Sequence, residues 1–216
     1  MSNPLKRFAH RQLARTALGP LRDLYRVGAL RDSGWFRSMM GGRPVDANGD
    51  PLIWITYPAI DFLRRRLPHV TRVFEYGAGA STLWWSSRAG HITSVEHDAG
   101  WYEQVRARCP ANVTLRHHPL DDAGGYPGTI TSAGDPFDVI VIDGRQRVAC
   151  ARRAPEHLTD KGVIIWDNAE RGRYEPGREH LAACGFRSVE FWGLAPCTTR
   201  LSCTAIYYRD GNLLGL

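Results

Sequence analysis

No uncharged stretch of the 216-residue chain approaches the roughly 20 apolar residues that a membrane-spanning helix needs, so an integral membrane segment of that kind is not expected. An apolar N-terminal run ending in a small-residue cleavage site is also lacking, which predicts a chain without a secretory signal. The five cysteines (Cys109, Cys150, Cys184, Cys197 and Cys203) are scattered, odd in number and without a CxxC pair. That pattern argues against a disulfide framework or a zinc site and for reduced thiols in a cytoplasmic protein. Repeats and low-complexity tracts are missing too, which removes solenoid and linker-like architectures.

What is present fits one globular unit. With 43% hydrophobic and 23% charged residues, the chain can bury the core of one α/β domain and carry a helical extension. The net charge of +6 is unevenly placed. Residues 1–43 hold nine basic side chains against Asp23 and Asp32, a surplus of seven, so the rest of the chain is close to neutral. Such an arm suits a membrane surface, a nucleic acid or an acidic partner. The simpler expectation is a solvated helix face, with Leu13, Ala17, Leu21, Leu24 and Tyr25 turned inward. Base-stacking aromatics are not interleaved with the charges, which argues against nucleic acid.

Residues 4–30 read as one or two helices interrupted at Gly19-Pro20. "GGRPVDANGDPL" (41–52) is a loop by composition and divides a basic helical extension or lid (1–50) from a core (51–216). "YPAIDFLRRRL" reads as a helix with Pro58 in its first turn. Short β-rich runs follow at 73–76, 92–96, 113–117, 137–143 and 162–167, with helical segments at 80–88, 99–107 and 146–158. This alternation predicts a Rossmann-like, mostly parallel sheet with helices on both faces. The runs VIVI and VIIW suit strands buried on both sides. The stretches 186–193 and 204–210 have no helix between them and predict an antiparallel pair at the sheet's C-terminal end.

Ligands in such sheets bind outside the carboxyl ends of the strands, where strand order reverses. The first strand ends in "VFEYGAGAST". Gly77 and Gly79 are expected to make a tight turn with positive φ and to leave the backbone bare, and the helix opening near Ser81 and Thr82 turns its free N–H groups toward that spot. The dinucleotide fingerprint wants a third glycine or alanine where this chain has Thr82, so the loop is a poor match for NAD. An acid ends the next strand, in "ITSVEHD": Glu96 can accept hydrogen bonds from two ribose hydroxyls at once. The ligand expected from this pair is an adenosine derivative.

"VFEYGAGAS" followed by "SVEHD" resembles motifs I and II of the class I S-adenosylmethionine (SAM)-dependent methyltransferases, over about residues 55–210. The resemblance implies that Gly77, Ala78, Gly79, Ser81 and Thr82 face the methionine part of SAM. By the same resemblance, Glu75 lies near the aminoacyl end, often through backbone or water. It further implies that Glu96 holds the ribose, His97 and Asp98 flank the adenine, Asp121 or Asp122 contacts it, and Asp143 matches motif IV.

Methyl transfer from a sulfonium needs in-line approach, exclusion of water and sometimes a base. Candidates lie in "VIDGRQR" and "IIWDNAER". Asp143, Asp167 and Asn168 resemble the metal ligands of catechol- and caffeoyl-CoA-type O-methyltransferases, which would hold Mg²⁺. Those enzymes carry a lysine where this chain has Gln146. Arg145 and Arg147 are poor bases but suit an anionic substrate. His118 is a reserve base. Trp35, Phe36, Trp54 and Tyr57 either form a lid or pack on the core, and Cys197 and Thr198 are candidates to line an acceptor pocket. The expected activity is methylation of a small-molecule acceptor, most readily at oxygen, in a chain with room to form a homo-oligomer. The alternatives are a metal-dependent O-methyltransferase, an aminopropyltransferase, an RNA methyltransferase and a non-catalytic SAM-binding interaction protein.

Overall fold

The structure, a computed structural model, describes Thr16, residues 18–121 and residues 123–216. Three short helices come first: α1 (Leu18–Arg26), α2 (Ala29–Asp32) and α3 (Trp35–Gly41). A fourth, α4 (Tyr57–Arg66), leads into the alternating part. There β1 (Val70–Tyr76), α5 (Ala80–Ser86), β2 (Ala89–Glu96), α6 (Ala99–Arg106) and β3 (Val113–His117) follow one another. The chain continues through α7 (Gly125–Gly128), β4 (Phe137–Ile142), α8 (Arg147–Arg153), β5 (Leu158–Asp167), α9 (Glu175–Ala183), β6 (Arg187–Gly193) and β7 (Ser202–Tyr208).

The seven strands form one sheet in the order β3-β2-β1-β4-β5-β7-β6. β1 to β5 pair in parallel, and β7 runs antiparallel to both β5 and β6. The predicted Rossmann-like sheet and its antiparallel C-terminal pair are therefore both present. Strand order reverses between β1 and β4, which places the glycine turn and Asp143 side by side.

Period-two alternation divides the core between the faces. Phe74, Tyr76, Ile140, Ile142, Ile164, Trp166, Ala205 and Tyr207 pack on one face, with Cys150 and Ala151 of α8 and Leu181 of α9. Val73, Val139, Val141, Val163, Ile165 and Ile206 pack on the other, with Ile60 and Leu63 of α4 and Trp84 and Trp85 of α5. Both tryptophans are core residues. α9, unforeseen in the sequence, carries Gly177 where a Cβ would meet the Trp166 ring at 2.5 Å, so its glycine reflects close packing. Pro155 ends the predicted 146–158 helix early: α8 stops at Arg153 and a 3-10 turn covers Ala154–His157.

The N-terminal segment departs from expectation. α1 runs through Gly19-Pro20 because Pro20 lies in the first turn, where no backbone N–H is needed. Leu21, Leu24 and Tyr25 are 58%, 38% and 55% exposed rather than turned inward. The helix neighbours α2 and, through the Tyr25 ring edge-on to Phe36, α3. Leu13 and Ala17 lie outside the described residues. The following stretch is docked: Trp35 Nε1 donates to Thr198 O at 2.8 Å and Cys197 Sγ to Ser38 O at 3.3 Å. No helix among the described residues is long and apolar enough to cross a membrane.

Only one of the two loop glycines has the expected backbone. Gly77 has φ +93°, and a Cβ there would meet Gly144 Cα at 2.8 Å. Gly79 has an extended φ of 172°, and a Cβ would find nothing nearer than Trp101 at 3.8 Å. Gly77→Ala is therefore expected to cost more than about 2 kcal/mol. Gly79→Ala should change stability by less than about 1 kcal/mol. Urea unfolding of the two variants checks this, and equal losses would contradict the assignment of the turn to Gly77 alone.

Candidate functional site

Beneath the glycine turn is a buried carboxyl. Glu75 occupies a β1 position on the α5 side of the sheet and is fully buried. Its Oε2 accepts from Thr82 Oγ1 at 2.5 Å and from Ser94 Oγ at 2.8 Å. Thr82 Oγ1 in turn accepts from the Gly79 N–H at 3.0 Å. The acid before the glycines thus fixes the turn from below, through a residue of α5 and one of β2. Its Oε1 has no partner. Burial pushes the carboxyl up from 4.5 to about 7, against the lowering effect of the Ser81, Thr82 and Ser94 hydroxyls.

Glu96 is the second support. Its Oε2 accepts from Ala78 N at 3.2 Å, and its Oε1 accepts from the N–H groups of His97 and Asp98 at 2.7 and 2.8 Å. Asp98 caps α6 by accepting from the Trp101 N–H at 2.7 Å. The cap sets the helix register so that Trp101 Nε1 donates to Ala78 O at 2.7 Å. The turn is therefore pinned at Gly77, Ala78 and Gly79 from three elements.

A cleft of about 750 Å³ lies over this turn. Gly77, Ala78, Gly79, Ser81, Glu96, His97, Asp143 and Asn168 all line it. Glu75 and Thr82 do not, being wholly buried under the loop. Asp98 is absent from the lining because its side chain serves the helix cap. Asp121 lines a second cleft of about 610 Å³, and Asp122 lies outside the described residues. His118 stands near Asp121 at the end of β3, its Nδ1 within 2.8 Å of Pro119 O, and lines neither cleft. Asp167 lines a third cleft, which shares Trp54, Asp143, Asn168 and Arg171 with the first; Thr198 lines it as well.

The sequence reading missed two parts of the first cleft. Trp101 forms one wall, and the only signal for it was the acid three residues earlier, a helix cap. The loop from Gly42 to Pro51 forms another, and Trp54, read as a lid or core residue, lines the cleft beside it.

Arg147 organises the strand-end acids. Its guanidinium donates to Asp143 Oδ1 at 2.7 Å, Asp143 O at 2.6 Å and Gly144 O at 3.0 Å, and makes a further hydrogen bond to Asp167 O. Asn168 Oδ1 lies 3.4 Å from the same group. Asp167 Oδ1 accepts from Thr204 Oγ1 at 2.8 Å, itself held by the Thr56 N–H. Burial raises the proton affinity of both acids, with the Asp143–Asp167 repulsion adding to it at Asp167 and the Arg147 charge opposing it at both.

This arrangement does not fit Mg²⁺. The ion needs free oxygens in an octahedron, whereas a fixed guanidinium sits among Asp143, Asn168 and the Asp167 carbonyl and already supplies the positive charge. Gln146, which stands at the position of the metal enzymes' lysine, donates to Asp121 O at 2.9 Å, in a left-handed conformation. No metal-holding group of three His, Cys, Asp or Glu occurs among the described residues.

No protein-family model matches the chain, and no curated protein does. Solved structures do match. An O-methyltransferase from Bacillus cereus in complex with SAH aligns over 87% of this chain and 96% of its own, with TM-score 0.59 and 16% identity. The precorrin-6y C5,15-methyltransferase of Geobacter metallireducens aligns over 71% of this chain and 87% of its own, with TM-score 0.56 and 14% identity. The fold is that of the class I methyltransferases. A spermidine synthase in complex with the transition-state analogue AdoDATO also matches, over 68% of this chain and 56% of its own, with TM-score 0.53 and 12% identity. The methyltransferase fold thus hosts different acceptors, and at such identities it leaves this chain's acceptor open.

Two outcomes test the site's electrostatics. The neutral form of Glu75 is favoured by folding, so its contribution is complete below pH 4.5 and is lost as pH rises through about 7. Between those limits the wild type should lose stability relative to Glu75→Gln, by on the order of 3 kcal/mol. Parallel stability–pH curves for the two proteins would contradict the burial argument. Millimolar Mg²⁺ titrated into EDTA-treated protein should release no saturable heat. A saturable heat lost in Asp167→Ala would restore the metal reading.

Proposed function

We propose that the protein is an S-adenosylmethionine-dependent methyltransferase of small molecules, acting at a hydroxyl oxygen in the cytoplasm. The observation that carries this reading is the bare backbone of Gly77–Gly79 facing the same cleft as Glu96, the acid at the end of the neighbouring strand. The residues fit the cofactor. A Cβ on Gly77 would enter the backbone of Gly144, so the turn must stay bare where the cleft begins. Glu96 Oε1 is filled by two backbone N–H groups, while Oε2 accepts from one and keeps acceptor capacity for a ribose hydroxyl. When bound, S-adenosylmethionine supplies an electrophilic methyl group on its sulfonium.

The chain's own part is positioning and proton handling. Trp101 and Trp54 wall the cleft and limit water. Asp143, held by Arg147, borders both the first and third clefts, so a molecule in the third cleft reaches the first past it. Asp167 lines the third cleft, oriented by Thr204, and its raised proton affinity suits it to take the hydroxyl proton. His118 lines neither cleft and has no part in this scheme. A cationic polyamine acceptor, as an aminopropyltransferase would need, is disfavoured by Arg145 and Arg171 at the mouth.

Calorimetric titration with S-adenosylhomocysteine is expected to give saturable binding, weakened at least about tenfold in Glu96→Ala. Silence with that ligand together with a heat from NADH would overturn the cofactor assignment. With a hydroxyl acceptor found by screening, Asp167→Asn should bind the cofactor normally and lower kcat by about 10²-fold. An unchanged kcat would remove Asp167 as the base.

A further inference from the structure

The second cleft, of about 610 Å³, adjoins the first across Gly144, Arg145, Arg147 and Arg171, which line both. Arg152 and Arg173 extend its wall beside Tyr174, and Asp121 is its one acid among the described residues. These cations come from three places in the chain: the turn after β4, the body of α8, and the segment between β5 and α9. The fold brings them together.

Their pairing separates them from ordinary structural arginines. Arg147 is committed to Asp143. Among the described residues, the guanidinium groups of Arg145, Arg152 and Arg171 have no hydrogen-bond or ion-pair partner within the protein. Arg173 donates to Tyr174 Oη at 3.1 Å and lies 5.0 Å from that ring's centre, neither of which neutralises it. Asp121 is itself engaged, its Oδ1 accepting from the Gly125 N–H at 2.8 Å. Apart from the Tyr174 contact of Arg173 and the attraction between Arg171 and Asp143, these four guanidinium groups lack an anionic partner among the described residues and repel one another. Planar donor forks converging in this way match phosphoryl oxygens.

We infer that this cleft binds a phosphate or diphosphate group on the acceptor. Gly144, without a side chain, separates it from the cofactor cleft, so an acceptor whose phosphate sits here reaches past that residue and Asp143 to present its hydroxyl to Asp167 at the border of the third cleft. The acceptor role rests on the methyltransferase reading, whereas the anion site itself does not.

The probe is inorganic pyrophosphate, titrated at fixed ionic strength into the full chain with and without saturating S-adenosylhomocysteine. Saturable binding is expected in both states. The Arg152→Ala/Arg173→Ala variant, which touches only the second cleft, should weaken it by at least about tenfold while S-adenosylhomocysteine affinity stays within about twofold. Lys161→Ala removes one exposed charge toward the N-terminal end of β5 and should leave pyrophosphate binding unchanged. Absence of saturable pyrophosphate binding, or equal weakening in Lys161→Ala, would overturn the site. Equal affinity for citrate would overturn its assignment to a phosphoryl group. If S-adenosylhomocysteine fails to bind while pyrophosphate behaves as expected, the methyltransferase reading falls and the anion site stands.

Discussion

Gly77 and Gly144 meet backbone to backbone, and most of the site follows from that contact. The sheet reverses its order between β1 and β4, so the chain leaves both strands at the same point. Neither residue can carry a side chain there: a Cβ on Gly77 would meet Gly144 Cα, and one on Gly144 would meet Tyr126 Oη and the Gly77 nitrogen. The close approach brings the bare turn, Glu96 and Asp143 into one cleft. It also leaves Gly144 as the thin divide between that cleft and its basic neighbour.

Two kinds of charged group support this geometry. Glu75 acts from within, since a buried carboxyl that accepts from Thr82 and Ser94 ties α5 and β2 to the turn. Its burial is costly to the ionised form, which makes it a structural acid rather than one that meets solvent-borne ligands. Arg147 acts beside it, where it satisfies three carbonyls and the Asp143 carboxylate. Around the second cleft, Arg145, Arg152 and Arg171 make no hydrogen bond or ion pair among the described residues, and that imbalance is what distinguishes it.

Much of the architecture was legible in local pattern. The runs VIVI and VIIW announced strands buried on both faces, because central parallel strands have no polar side. The glycine turn and the acid ending the second strand were expected at one site, because strand carboxyl ends meet where the sheet reverses, and both line one cleft. Other features were hidden for stateable reasons. Arg147 read as a substrate-binding cation because its distance from Asn168 in sequence gave no hint of their proximity in space. Gly79 read as a positive-φ residue because local pattern does not distinguish a glycine kept for backbone conformation from one kept bare for another reason. Leu21, Leu24 and Tyr25 were placed inward because helical spacing describes an apolar stripe but not what covers it.

The sequence by itself determined the strands and the helices that follow β1, β2 and β4, since these depend on periodicity and on residues within about 20 positions of one another. The tertiary structure alone decided which charges are paired. Asp143, Asp167 and Asn168 come from the ends of two strands, Arg147 from the start of α8, and Arg145, Arg152, Arg171 and Arg173 from three separate segments. Whether a charge is neutralised or left to bind something else depends on distances of a few ångströms between such segments. Those distances are set by how the strands lie side by side in the sheet.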